Sequence, residues 1–385
     1  MAVTRIRTIE DVAAHVEATL HLGPPATIGA ELEWHATDPA APYERPSLPR
    51  VDRALAGVPL AGGSVLTTEP GGQVELSSAP YAGVAALIDG LAADVAGVRA
   101  ALLADGLELL GEGTDPLRPP ERLLELPRYR VMEEFFAAEG PAGKQMMCST
   151  AAVQVSVDAG LPGEGAQSAT ARWQRAHAVG PALVAAFACS PFLLGEPTGW
   201  CSTRQAIWLD VDESRTRPPD ATSGPVQATV DLAMAARLMC VRDTEGVCRE
   251  APTRTFGQWL AAPDGPTVED LDYHLTTLFP PVRARGWYEL RYLDALPDPL
   301  WQVAVEVVAA VLDDDRVADA ARAACVPVEG RWRDAARLGV ADPELQQAAT
   351  GVLAAVGGQD VEAFLERFTL RGRCPADDLL SLVCA

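Results

Sequence analysis

The sequence predicts an α+β fold, a mainly antiparallel sheet with helices packed against it, and three observations carry that prediction. Four short segments, residues 28–34, 73–77, 153–158 and 287–293, alternate polar and apolar side chains with the period of two that a strand imposes. Between and after them, apolar residues recur at spacings of three and four, the mark of amphipathic helices. No repeat, low-complexity tract or linker divides the chain. Strands so dispersed must meet across most of its length, so a single domain over residues 1–385 is expected, helical in its C-terminal part from about residue 299.

Taken in order, Thr8 caps a first helix that has Glu10 and Asp11 in its opening turn and Val12, Val16 and Leu20 at helical spacing; Gly23-Pro24-Pro25 stops it. A strand over 26–34 gives way to a loop over 36–50, where Pro39, Pro42, Pro46 and Pro49 are expected to exclude regular structure. A hairpin over 65–78 turns at Pro70-Gly71-Gly72. Val84, Leu87, Ile88, Leu91, Val95, Val98 and Leu102 mark a long helix over 81–103, with 173–190 as its expected partner. Further helices are expected at 225–240, 267–278, 299–313, 344–356 and 359–368, with a short one around Phe256 and Trp259.

Composition bounds the function. A hydrophobic content of 48% over 385 residues is ample for a core. The formal net charge of −22 argues against a nucleic acid or an anionic membrane as partner, since both need a basic footprint. Eight cysteines, with no C-x-x-C pair, fit reduced thiols in a cytoplasmic protein. The uncharged stretch 176–195 is of membrane length, but Pro181 and Pro191 favour a buried core helix. Phosphate-loop, dinucleotide and nucleophile-elbow motifs are absent, and no obligatory protein partner is evident.

Strand periodicity puts Glu31 with Glu33, Gln73 with Glu75, Gln154 with Ser156 and Asp158, and Glu289 with Arg291 on common faces. Two carboxylates ~5 Å apart at an effective dielectric of about 20 repel by roughly 3 kcal/mol, so several together need protons or cations. Oxygen donors of this kind suit Mg²⁺ or Mn²⁺; zinc, which His35 alone raises, would want more His or Cys. Glu69 and the Gly71-Gly72 pair extend the acidic surface, and Gly-Gly lets backbone approach a ligand. Arg204 and Arg291 sit on strand-like stretches, where phosphate oxygens bridging arginine and metal, or plain ion pairs to Asp210 and Asp294, account for them. A solvated strand face is the competing reading of the glutamates. A non-catalytic divalent-cation protein is the competing function.

At this point the chain resembles the plant-like glutamate–cysteine ligases. The resemblance rests on Gly29-Ala-Glu-Leu-Glu33, Thr68-Glu-Pro-Gly-Gly-Gln-Val-Glu-Leu-Ser77, Arg128-Tyr-Arg-Val-Met132, the stretch from Met146 to Asp158, that from Gly199 to Trp208, and that from His274 to Arg291. Segments 173–191, 271–281 and 371–378 are most similar to the actinobacterial EgtA branch, which serves ergothioneine synthesis. The resemblance implies a curved, glutamine-synthetase-like catalytic fold and ATP-dependent joining of the L-glutamate γ-carboxylate to the L-cysteine amine through γ-glutamyl phosphate. It further implies two or more Mg²⁺ held by Glu31, Glu33, Glu69, Glu75, Gln154 and Glu289, charge compensation by Arg204 and Arg291, and substrate walls from Tyr129, Met132 and Met147. Another amine acceptor is the alternative within the same chemistry. Ser149-Thr-Ala and Tyr292-Leu-Asp depart from the plant pattern and set plant-type regulation in doubt.

Overall fold

The computed structural model describes residues 4–21, 23–242 and 246–383, so Cys384 lies outside the described residues. Its strands are β1 (Ile28–Thr37), β2 (Val65–Thr68), β3 (Val74–Ser77), β4 (Glu108–Leu110), β5 (Ala152–Asp158), two small hairpins β6 (Phe192–Leu193) with β7 (Glu196–Pro197) and β8 (Cys240–Arg242) with β9 (Cys248–Glu250), then β10 (Val282–Ala284) and β11 (Trp287–Asp294). Seven of them form one open sheet in the order β10-β11-β5-β1-β3-β2, with β4 on the far part of β1. Every pairing in it is antiparallel. The fold is α+β.

Register explains how the strands share work. Glu31 lies opposite Gln154 and Ser77, Glu33 opposite Glu75, and Glu289 opposite both Ser156 and Arg283. One residue out of step, Leu32, Trp34, Leu76, Val153, Val155, Tyr288 and Leu290 all turn to the other face and are buried there. Helices Ala169–Ala178, Gly180–Ala186 and Leu300–Asp313 cover that apolar face. Tyr288 and Tyr292 anchor it by donating to the carbonyls of Ala169 and Ala176 at 2.8 and 3.1 Å. From Leu300 onward the described elements are all helical.

Several local expectations need correction. Pro49 does not exclude structure: it sits in the first turn of a helix, Leu48–Leu55, where a missing N–H is harmless. The stretch 176–195 is not one helix, because the chain breaks between Ala169–Ala178 and Gly180–Ala186 and then enters β6. Among the described residues no helix is long and apolar enough to cross a membrane. The long helix Val84–Ala104 packs on Leu48–Leu55, Leu300–Asp313, β1 and β4, not chiefly on 173–190. The helix expected to reach residue 240 ends at Ala235 and yields to β8. Arg204 lies on a helix, Thr203–Val211, not on a strand; Ser202 caps it by accepting from the Gln205 N–H.

Candidate active site

The polar face of the sheet lines a cavity of about 320 Å³ that takes in Glu31, Glu33, Glu69, Glu75, Gln154, Glu289 and Arg291. The β2–β3 hairpin positions two of these. Its turn is closed by the Gly72 N–H donating to the Glu69 carbonyl at 2.8 Å, with Gly72 at a φ of +87° that favours glycine. Gly71 runs so close to Cys148 that a Cβ there would stand 2.3 Å from its carbonyl oxygen, which is why the turn needs a second glycine. Gln73 lines the cavity and also braces its frame: its amide accepts from Gly71 N–H and donates to the Thr150 carbonyl at 2.8 Å.

Opposite the sheet, helix Pro127–Ala137 supplies Tyr129 and Met132, helix Ala142–Ser149 supplies Met147, and Trp208 and Phe279 complete the wall. Arg128, Arg283 and Arg285 also line it. Arg128 is held by the Thr276 side chain and carbonyl at 3.0 and 2.9 Å. Sequence reasoning had not singled out these three arginines. Arg283 and Arg285 alternate on the approach to Gly286, the same signal that revealed the glutamates.

Charge is unevenly shared. Burial, reinforced by Glu289 and Glu75, raises Glu31 to about 8; burial and Glu75 raise Glu33 to about 7. Glu69 is pushed well above the usual range by burial and by Glu33 and Glu75. Glu289 is the exception: burial alone would raise it, but Arg283 and Arg291 outweigh that and hold it near 2. Their guanidinium nitrogens reach Glu289 Oε2 at 2.6 and 3.0 Å. Arg291 also donates to Gln154 Oε1, and Gln154 donates to Glu33 Oε1 at 2.8 Å.

Arg204 stands apart from the cavity. It is buried, donates to the Arg291 carbonyl at 2.7 Å, and shares the Trp208 ring with Arg291. Neither Arg204 nor Arg291 pairs with Asp210, which binds Arg333. Asp294 is instead bonded by Cys189 N–H and the hydroxyls of Ser190 and Ser202. His35 is buried and lowered to about 4 by desolvation, so its ring is neutral near pH 7.

Among the described residues no three His, Cys, Asp or Glu side chains converge closely enough to hold a metal ion as they stand. The donor set nevertheless fits a hard divalent cation. Glu31, Glu33 and Glu69 face one cavity with carboxyls raised by burial and by neighbouring glutamates, Glu75 and Gln154 offer further oxygens, and no His or Cys is among the described lining residues.

The family model described as glutamate-cysteine ligase family 2 (GCS2) matches residues 27–381. The chain belongs to this family. Glutamate–cysteine ligase EgtA of Mycolicibacterium smegmatis is 42% identical to it over 98% of this chain and 92% of that protein. EgtA of Mycobacterium tuberculosis is 44% identical over 94% and 87%. The chloroplastic glutamate–cysteine ligase of Brassica juncea stands further off, 32% identical over 61% of this chain and 47% of its own. The crystal structure of glutamate–cysteine ligase from Francisella tularensis in complex with AMP shares the fold, with a TM-score of 0.52 at 13% identity over 92% of this chain and 84% of that one. Within family 2, this chain is thus more similar to EgtA than to the plant enzymes.

Proposed function

We propose that this glutamate–cysteine ligase family member joins the γ-carboxylate of L-glutamate to the amine of L-cysteine with cleavage of ATP, giving γ-glutamylcysteine, ADP and phosphate for ergothioneine synthesis. The single observation behind the residue roles is the meeting of Glu31, Glu33, Glu69, Glu75, Gln154, Glu289 and Arg291 around one cavity. Glu31, Glu33, Glu69 and Glu75, with Gln154 and Glu289, are the residues that would hold Mg²⁺, two ions or more. Bound there, Mg²⁺ supplies charge neutralisation and Lewis acidity to the phosphates of ATP.

The remaining chemistry falls to side chains of this chain. Arg291 faces the cavity and offsets charge on the phosphoryl group as the glutamate γ-carboxylate attacks it. Arg204 acts behind it by fixing the Arg291 backbone and the shared Trp208 ring. Arg283 keeps Glu289 ionised. Tyr129, Met132 and Met147 form the less polar wall against which the cysteine side chain packs, so that its amine can displace phosphate from γ-glutamyl phosphate. No protein nucleophile takes part. The described cysteines are free, in keeping with a cytoplasmic setting.

ADP formation should require glutamate, cysteine and Mg²⁺ together, and mass spectrometry should find γ-glutamylcysteine. An amine clearly preferred over cysteine would overturn the acceptor; no turnover with the full mixture would overturn the reaction.

A further inference from the structure

Cys201 and Cys374 form a pair that the ligation chemistry does not use. Cys201 immediately precedes Ser202, the cap of helix Thr203–Val211, and Cys374 immediately precedes helix Pro375–Val383. Though remote in sequence, the two segments dock on neighbouring backbone: the Ala376 N–H donates to the Ala188 carbonyl at 2.9 Å, and the Ser190 N–H to the Cys201 carbonyl at 3.1 Å. Their sulfurs meet beside Gly339. A Cβ on that glycine would stand 3.1 Å from Cys201 Sγ and 3.2 Å from Cys374 Sγ, tighter than ordinary van der Waals contact. Both sulfurs thus lie beside one glycine, and no disulfide joins them.

The pair is asymmetric. Cys201 is partly exposed, and the neighbouring Cys374 side chain holds its thiol below the ordinary range. Cys374 is 1% exposed, and the neighbouring Cys201 side chain, with burial, pushes it up. Asp377 Oδ2 accepts from Cys374 Sγ at 3.5 Å and offers a site for its proton. A partly exposed thiol beside a shielded second thiol is the arrangement that thiol–disulfide exchange requires.

We propose that Cys201 and Cys374 are a disulfide-forming modification site whose oxidant is a low-molecular-weight disulfide, and that the bond ties the C-terminal helix to the helix carrying Arg204. The Cys201 thiolate attacks one sulfur of the small disulfide, forming a mixed disulfide and expelling one small thiolate. Cys374 gives its proton to Asp377 and attacks Cys201 Sγ, expelling the second small thiolate. Two protein thiols are thereby oxidised to one disulfide while one small disulfide is reduced to two thiols. This inference goes beyond the ligase reading and does not depend on it.

The test is to incubate the reduced full chain with glutathione disulfide and map unreduced peptides by mass spectrometry. We expect a Cys201–Cys374 cross-linked peptide, reversed by dithiothreitol, and a melting temperature higher by about 5 °C because a long loop is closed in the unfolded chain. Cys374→Ser should leave a lasting mixed disulfide on Cys201, and Cys201→Ser should give neither product. Wild-type protein that keeps Cys201 and Cys374 unlinked, whether unreacted, stalled as the mixed disulfide or cross-linked only through other cysteines, overturns the proposal.

Discussion

The two faces of the central sheet come from the same strands and differ by one residue in register, yet they do opposite things. Leu32, Trp34, Leu76, Val155 and Leu290 on one face are at most 1% exposed and hold the helices. Glu31, Glu33 and Glu75 on the other face crowd like charges that weaken the fold unless something neutralises them, whereas Glu289 beside them is already paired with Arg283 and Arg291. On the proposed reading stability and function are divided between faces, and substitutions on each should separate cleanly.

The largest effect is expected on the polar face. Glu33→Gln and Arg291→Ala should each lower glutamate- and cysteine-dependent ADP formation by about 100-fold or more while leaving a cooperative thermal transition. Wild-type turnover in either would place the chemistry elsewhere. On the apolar face the pattern should invert. Leu32→Ala should cost about 2–5 kcal/mol in denaturant unfolding, and the protein that remains folded should keep its turnover per molecule.

Cation dependence should show the same division. Glu31 and Glu33 have folded pKa values of about 8 and about 7, so the folded state holds their protons more tightly than the unfolded one. Their contribution is complete below the unfolded value of ~4.3 and is lost as pH rises through 7 and 8. Without divalent ions the melting temperature should therefore fall between pH 6 and pH 8, and Mg²⁺ should raise it more at pH 8, where fewer protons need to be displaced. An Mg²⁺ shift independent of pH would break the link between these carboxyls and the cation. The smallest change is expected from Met132→Leu, which conserves volume in the mixed wall: the KM for cysteine should move by less than about tenfold, with the KM for glutamate unchanged.

Period-two alternation made the acidic face legible in the sequence, because it depends only on neighbours along one strand. Glu31 with Glu33 and Glu289 with Arg291 could be placed that way, and the β2–β3 turn announced itself through Gly71-Gly72. What depended on cross-strand or helical partners was harder to read. Arg204 looked strand-borne because Ile207 and Trp208 suit either structure; Ser202 three residues before Gln205 was the overlooked cap. The clamp of Arg283 on Glu289 follows from the β10–β11 register, which no single segment reveals. The Leu48–Leu55 helix was hidden by reading Pro49 as a breaker when its position made it a helix start.

The most direct test of the acidic wall is a crystal structure with a non-hydrolysable ATP analogue and Mn²⁺, located by its anomalous scattering. The account predicts Mn²⁺ at about 2.0–2.2 Å from oxygens of Glu31, Glu33, Glu69 or Glu75, with phosphate oxygens sharing the ions and Arg291 beside the terminal phosphate. Manganese and triphosphate bound away from these glutamates, with their carboxyls still facing one another unbridged, would contradict it.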